Sequence, residues 1–179
     1  MVLPAVITSP VFQTTPLTSA DIETTQTITE TSDNTNAVLV SGDTISYSNV
    51  GITKTGDGSG GEDADFYGTN AAVLATNGAS LTLTGSLVVT DGAYANGVFS
   101  YGSGTTVNVK DSVIITRSNN SGGIMTTGGG TTNAEKLTIE TSGGSSAATP
   151  LQGRDHRRSI PQQILLFRMH ILSRKLLRV

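Results

Sequence analysis

The sequence contains no cysteine, no tryptophan and only two histidines among its 179 residues. The lack of cysteine excludes a disulfide scaffold, a thiolate zinc site and a cysteine nucleophile, and it leaves the redox compartment open. Long apolar runs are also missing, because Arg168, Arg174 and Lys175 interrupt the most apolar segment, 164–179. That segment falls short of the roughly 18 apolar residues that a membrane-spanning helix needs, so we expect no transmembrane segment. The amino terminus lacks the basic region of a signal peptide.

Charged residues are few and unevenly distributed. The net charge of −3 combines a body, residues 1–147, in which 13 acids outweigh four bases, with a tail, residues 148–179, in which seven bases outweigh one acid. The body is rich in Gly, Thr, Ser and Asn and poor in Leu, Lys and Glu, a composition that favours short strands and tight turns over helices. The basic tail lacks interleaved aromatic residues, so we expect no nucleic-acid partner.

A three-part pattern recurs along the body. Each copy opens with a small residue and two apolar ones, and then carries two pairs of alternating apolar residues. The openings centre on Val38, Val73, Val98 and Ile124; the first pairs are Ile45 and Tyr47, Leu81 and Leu83, Val107 and Val109, decaying to Thr132 and Ala134; the second pairs are Val50 and Ile52, Leu87 and Val89, Val113 and Ile115, Leu137 and Ile139. Alternation with a period of two marks strands with one buried face.

Three short strands per copy, at a period near 25 residues, predict an all-β parallel β-helix. We expect an irregular lead-in at 1–20, a solenoid of about three coils plus a partial N-terminal turn at 21–148, and a non-repeat tail at 149–179. The first gap between copies is longer by about 12 residues, which fall within Gly56–Gly68. We expect this insertion to protrude as a loop at a coil corner.

Three segments resemble the sequences of a known family. Residues 65–73, 93–102 and 121–131 are similar to the turns and core positions of large repetitive bacterial β-helix proteins with the pectate-lyase-like fold, which are described as adhesin-like surface proteins. The resemblance covers about residues 8–148 and matches the N-terminal portion of such proteins. It implies a right-handed solenoid, an extracellular or cell-surface location, and a carbohydrate or host-surface ligand.

The tail permits three interpretations. It can be a solvated basic extension that is disordered or partly helical, or an amphipathic helix that lies on anionic lipid or in a partner groove. The third, which we favour, is a frame-shifted segment, because the composition changes at Thr149-Pro150, where the next coil is due. The codons of Pro150 to Ser159 can be chosen so that another frame restores a Gly-Gly-Thr turn and a strand. Reading the nucleotide sequence would decide between them.

The insertion carries the candidate metal ligands Asp57, Glu62, Asp63 and Asp65. Carboxylate oxygens are the ligands that calcium prefers, so this loop is a candidate calcium site. Its spacing matches neither an EF-hand loop nor the calcium-binding nonapeptide repeat. The alternative is a solvated acidic loop. Beyond this calcium we expect no cofactor.

Tyr67, Tyr94 and Tyr101 are the candidate ligand-binding residues. Exposed aromatic rings on a rigid face can contact the apolar faces of sugars, whereas in the alternative interpretation the tyrosines cap coil corners and Phe99 belongs to the core. Catalysis has little support, since the body holds one arginine, Arg117, and no histidine. The sequence therefore predicts a non-catalytic structural or adhesive module; the alternative is the N-terminal part of a polysaccharide lyase or glycoside hydrolase.

Overall fold

A computed structural model describes residues 16–146 and, for the backbone alone, residues 170–171. A 3₁₀ turn, Ser19–Asp21, precedes the first strand. The strands are β1 (Gln26–Glu30), β2 (Val38–Ser41), β3 (Thr44–Ser48), β4 (Val50–Lys54), β5 (Val73–Thr76), β6 (Ser80–Thr84), β7 (Leu87–Thr90), β8 (Val98–Tyr101), β9 (Thr106–Thr116), β10 (Ile124–Thr127), β11 (Thr131–Thr141) and β12 (His170–Ile171), with one short helix, α1 (Gly61–Phe66), between β4 and β5.

The strands stack into a β-solenoid of about four turns, which confirms the predicted fold class. Every strand pairing is parallel. The front sheet consists of β2, β5, β8 and β10. The second face consists of β3, β6 and the first halves of β9 and β11, and the third face of β1, β4, β7, the second halves of β9 and β11, and β12. The partial turn predicted at the N-terminal end of the solenoid contributes β1.

The repeat aligns in space as the sequence predicts on the first two faces. Val38, Val73, Val98 and Ile124 lie in register in the front sheet and are buried. On the second face the inward columns are Ile45, Leu81, Val107 and Thr132, and Tyr47, Leu83, Val109 and Ala134. The copy with the decayed pair therefore still forms a complete coil, because its first and third strands keep their apolar residues.

On the third face the predicted phase of two strands is wrong by one residue. Ile52 aligns with Val88 and Ile114, which are fully buried in the main core, whereas Leu87 and Val113 align with Gly51 on the opposite side of the strands. Leu87-Val88-Val89 and Val113-Ile114-Ile115 are continuous apolar runs, so alternation within them cannot show which residues point inward. The neighbouring coil sets the phase through the ladder.

The corners between the second and third faces use the left-handed backbone region. Asn49, Gly85, Asp111 and Lys136 occupy equivalent corner positions, each with φ between 49° and 57°. Asn tolerates this region and Gly adopts it without steric cost. The carboxylate of Asp111 lies 3.7 Å from the ammonium of Lys136, which places opposite charges on adjacent coils at this crowded corner.

Two predicted segments lie largely outside the described residues. The lead-in is described only from residue 16, and it contains the 3₁₀ turn at Ser19–Asp21. The tail is described only at His170–Ile171, which pair in parallel with Thr138–Ile139. The interpretation of the tail as frame-shifted, disordered or helical stays a prediction.

Candidate functional site

The predicted insertion lies in the connection between β4 and β5, residues 55–72, which contains α1 and crosses the outer surface of the front sheet. From here on, the insertion means this whole connection. The sequence predicts that the insertion protrudes as a loop. In the structure, side chains of three different coils attach it to the front sheet by hydrogen bonds. The Asn36 amide donates hydrogen bonds to the carbonyls of Gly68 (2.9 Å) and Ala71 (2.7 Å), the Asn96 amide donates to the carbonyl of Ala64, and the Thr127 hydroxyl donates to the carbonyl of Phe66. We number the four coils by their front-sheet strands, β2, β5, β8 and β10. The insertion is therefore bonded to the first, third and fourth coils.

Apolar side chains on the outside of the front sheet explain why the insertion packs there. One residue from each coil contributes to a continuous outer ladder: Leu39, Leu74, Phe99 and Met125. Phe99 is fully buried and Leu74 and Met125 are nearly so, whereas Leu39 is 58% exposed. The backbone at Gly68 approaches the Phe99 ring so closely that a Cβ there would lie 2.6 Å from Cγ of Phe99. The insertion thus shields a second, smaller hydrophobic cluster outside the solenoid.

A shallow depression of about 330 Å³ lies where the end of α1 meets the third and fourth coils. It is lined by Glu62, Phe66, Tyr67, Tyr101, Thr127 and Gly128. The rings of Tyr67 and Tyr101 pack edge to face, with centroids 5.2 Å apart and an interplanar angle of 77°. Phe66 and Tyr67 are 40% and 41% exposed. The depression therefore presents aromatic surface to solvent beside one carboxylate.

Of the three candidate tyrosines, the structure brings Tyr67 and Tyr101 together and places Tyr94 elsewhere. Tyr94 lies in the turn before β8 with φ of 56°, and Asn120 and Asn34 adopt the same left-handed conformation in equivalent turns. Its ring packs against the backbone of the insertion, since a Cβ on Gly60 would lie 2.8 Å from Cζ of Tyr94. Tyr94 therefore supports the insertion from outside the depression.

The four acidic candidates of the insertion do not share one place. Oδ1 of Asp57 accepts a hydrogen bond from the Ala93 amide (2.8 Å), and the Asp57 amide donates to Oδ1 of Asp33 (2.8 Å), so Asp57 ties three turns together. Glu62 lines the depression, while Asp63 and Asp65 lie further along α1. Within residues 16–146, no group of three or more His, Asp or Glu side chains is arranged to hold a metal ion. Calcium binding by Asp57, Glu62, Asp63 and Asp65 stays a prediction.

Sequence reasoning missed Lys54, which is completely buried. Its ammonium donates hydrogen bonds to the carbonyls of Ser32 (2.8 Å) and Gly56 (2.7 Å). Burial lowers the pKa of Lys54 from the ordinary lysine value, and this effect outweighs the opposing attraction of Glu30, Asp33 and Asp57. The signal was present in the sequence, because Lys54 continues the inward alternation of Val50 and Ile52.

Comparison with protein-family models, with curated proteins and with solved structures finds no match for this chain. In the part of the chain that the structure describes, no helix has the length and apolar character required to cross a membrane.

Proposed function

We propose that this chain is a rigid, non-catalytic β-solenoid module with a structural or adhesive role outside the cell or at its surface, and that the depression at Tyr67 and Tyr101 contacts carbohydrate. The observation that carries the proposal is the partly exposed edge-to-face pair that these two rings form. The resemblance to adhesin-like β-helix proteins supports the location and the kind of ligand, which would be a glycan on a host or other cell surface.

The chemistry of the depression suits a sugar. The faces of aromatic rings pack against the apolar C–H surface of a pyranose, and their polar edges bond its hydroxyls. Here Phe66 and Tyr67 supply exposed rings, and the Glu62 carboxylate can accept hydrogen bonds from sugar hydroxyls. The hydrogen bonds from Asn96 and Thr127 fix the backbone on which these rings stand. Such preorganisation lowers the entropy that binding must lose.

The same inventory bears on the enzymatic alternative. Glu62 is the one carboxylate among the residues that line the depression. Hydrolysis by an inverting glycosidase uses two carboxyl groups about 6.5–9.5 Å apart. The depression thus contains one of the two carboxyl groups that such an enzyme uses. We therefore propose that it binds carbohydrate without cleaving it. A lyase or hydrolase activity would appear as turnover of a bound glycan.

Binding of the full chain to a glycan array, followed by titration of the best ligand, tests the proposal. We expect Tyr67→Ala to weaken binding by about fivefold or more, because a nucleobase loses about 1–3 kcal/mol when its aromatic stacking partner is removed and a sugar ring packs on the same kind of aromatic face. Tyr67→Phe keeps the ring and should retain most of the affinity. Thr82→Ala, on the second face away from the insertion, is the control for general surface effects.

Two outcomes would contradict the proposal. The first is an affinity for the best ligand that Tyr67→Ala and Tyr101→Ala leave unchanged, and the second is the absence of binding across the array. Release of ultraviolet-absorbing unsaturated products from a bound polysaccharide would instead favour the lyase alternative.

A further inference from the structure

We infer that the depression selects sugars without an anionic group and discriminates against uronic acids and sulfated sugars. The inference rests on the proposed function and adds a ligand class to it. It follows from the polar groups that line the depression and from the charges that surround it.

The lining contains one carboxylate and no cationic side chain, and its other polar side chains are the hydroxyls of Tyr67, Tyr101 and Thr127. The tyrosine hydroxyls can donate or accept a hydrogen bond. Glu62 contributes a carboxylate, which only accepts hydrogen bonds when ionised. The Thr127 hydroxyl already donates its proton to the carbonyl of Phe66, so toward a ligand it retains only its lone pairs. Sugar hydroxyls can donate to the carboxylate and the Thr127 oxygen, and can exchange hydrogen bonds with the tyrosine hydroxyls. A carboxylate or sulfate on the ligand would instead face the Glu62 carboxylate.

The insertion around the depression carries further negative charge, and the basic residues of the described chain lie outside the depression. Residues 55–72 contain four acids and no Lys, Arg or His, and Asp63 and Asp65 lie on α1 together with Glu62. Lys54, the base nearest to the insertion in sequence, is buried with its ammonium bonded to the Ser32 and Gly56 carbonyls. Of the three other described bases, Lys110 pairs with Glu135, Lys136 pairs with Asp111, and Arg117 follows the end of β9, where its amide donates to the Thr90 carbonyl. None of them lines the depression.

Like charges at a recognition surface suppress wrong partners and slow their encounter. An anionic sugar in the depression would approach Glu62 directly. Asp63 and Asp65 share the six-residue helix α1, whose length of about 9 Å is comparable with a Debye length. A neutral sugar of the same shape meets no such penalty. The acidic residues of α1 therefore disfavour anionic sugars, while the Tyr67–Tyr101 pair provides the packing contact for either kind of sugar.

The test uses pairs of polymers that differ only in charge: galacturonan, glucuronan and mannuronan, each compared with the same polymer after reduction of its carboxyl groups to alcohols. Calorimetric titration of the full chain should show binding to a reduced member and at least about fivefold weaker binding to its acidic parent, as expected for about 1 kcal/mol of repulsion. Added salt should reduce the difference between the affinities for the acidic and the reduced polymer, because salt screens the repulsion.

Glu62→Gln should bring the affinities for the acidic and the reduced member closer together at low salt, because it removes the carboxylate that faces the acidic member. The readout is the ratio of the two affinities within the variant, which a change common to both polymers does not alter. Glu140→Gln makes the same charge change on the third face and serves as the matched control. It should leave the ratio of the affinities for the acidic and the reduced polymer unchanged.

The outcomes separate the two proposals. Binding of an acidic polymer as tight as that of its reduced partner overturns this inference and leaves carbohydrate binding standing. An unchanged preference in Glu62→Gln also overturns it. Binding of no member of any pair, together with a negative glycan array, overturns the proposed function itself.

Discussion

Lys54 occupies an inward position of β4, in line with Glu30 on one side and Thr90 on the other. A buried ammonium loses its hydration, and the carbonyls of Ser32 and Gly56 replace only part of it. These two bonds join the turn after β1 to the start of the insertion. A neutral amine still has two N–H groups and can keep both bonds, so the positive charge is the costly part of this side chain.

The lowered pKa of Lys54 predicts a pH dependence of stability. Between the folded pKa and the ordinary value of 10.5, the unfolded state binds more protons, so the free energy of unfolding rises with pH in that range. Urea denaturation at several alkaline pH values should show this rise for the wild type relative to Lys54→Met. A flat difference between wild type and Lys54→Met would mean that the ammonium is not desolvated.

Tyr94 has a backbone conformation that the repeat predicts and a side-chain contact that it does not predict. A bulky aromatic residue seldom adopts positive φ, and Tyr94 does so because it occupies a turn that Asn120 and Ser145 form in the next two coils. Alignment of the repeats would reveal the shared turn. It would not reveal that the Tyr94 ring packs on Gly60, because that contact depends on the path of an insertion without an equivalent in other coils.

Among the elements, the insertion is the one whose structure departs most from the sequence-based expectation. It contributes α1 and shields the outer ladder across several coils. Its composition favours a loop, since its first half contains Gly56, Gly58, Gly60 and Gly61. Packing overrides this preference, because burial of Ala64 and of the Phe99 ring under the insertion removes apolar surface from water. The tyrosine pair of the candidate site arises from the same packing, so its geometry could not be predicted from the sequence.

Two glycines of the insertion test how firmly it is docked. Gly68 and Gly61 have nearly equal φ values, +72° and +73°, but a Cβ on Gly68 would clash with the Phe99 ring whereas one on Gly61 meets nothing within 4 Å. Gly61→Ala should cost about 1–2 kcal/mol of unfolding free energy from its left-handed backbone. Gly68→Ala should cost about 1–3 kcal/mol more from overpacking.

Urea denaturation measures both costs, and chymotrypsin, which cleaves after Phe66 and Tyr67, reports whether the insertion has lifted. We expect faster cleavage at these residues in Gly68→Ala than in Gly61→Ala. Equal stabilities and equal cleavage rates would show that the insertion does not pack tightly on Phe99.

The strands divide into those that the sequence predicts fully and those that it predicts only in position. Where apolar and polar residues alternate strictly, as in Leu81-Thr82-Leu83, both the strand and its buried face are predictable. In Val113-Ile114-Ile115 the strand is predictable but its phase is not. The decisive information lies in Ile52 and Val88, which are distant in sequence and adjacent in space.

The whole molecule is a one-dimensional stack, in which each coil contacts mainly the coils next to it. The inward column Ile52, Val88, Ile114 and Ile139 runs through all four coils. A strand in the middle of such a stack has bonded neighbours on both sides. Stability therefore depends on position along the solenoid axis, and the sequence repeat makes this dependence foreseeable.

Hydrogen exchange of the full chain should reveal this gradient. Within the described residues β1 pairs only with β4, and its side chains are half-buried at best, whereas β7 lies between β4 and β9. We expect the amides of β1 to exchange by local opening, with little dependence on low urea, and those of β7 and β9 to exchange only by global unfolding. Ile28→Ala should then speed exchange in β1 alone, whereas Ile114→Ala, at the centre of the stack, should speed it in the strands that exchange only by global unfolding, β7 and β9 among them. Equal protection of β1 and β9, or a global effect of Ile28→Ala, would show that the solenoid unfolds as one cooperative unit from end to end.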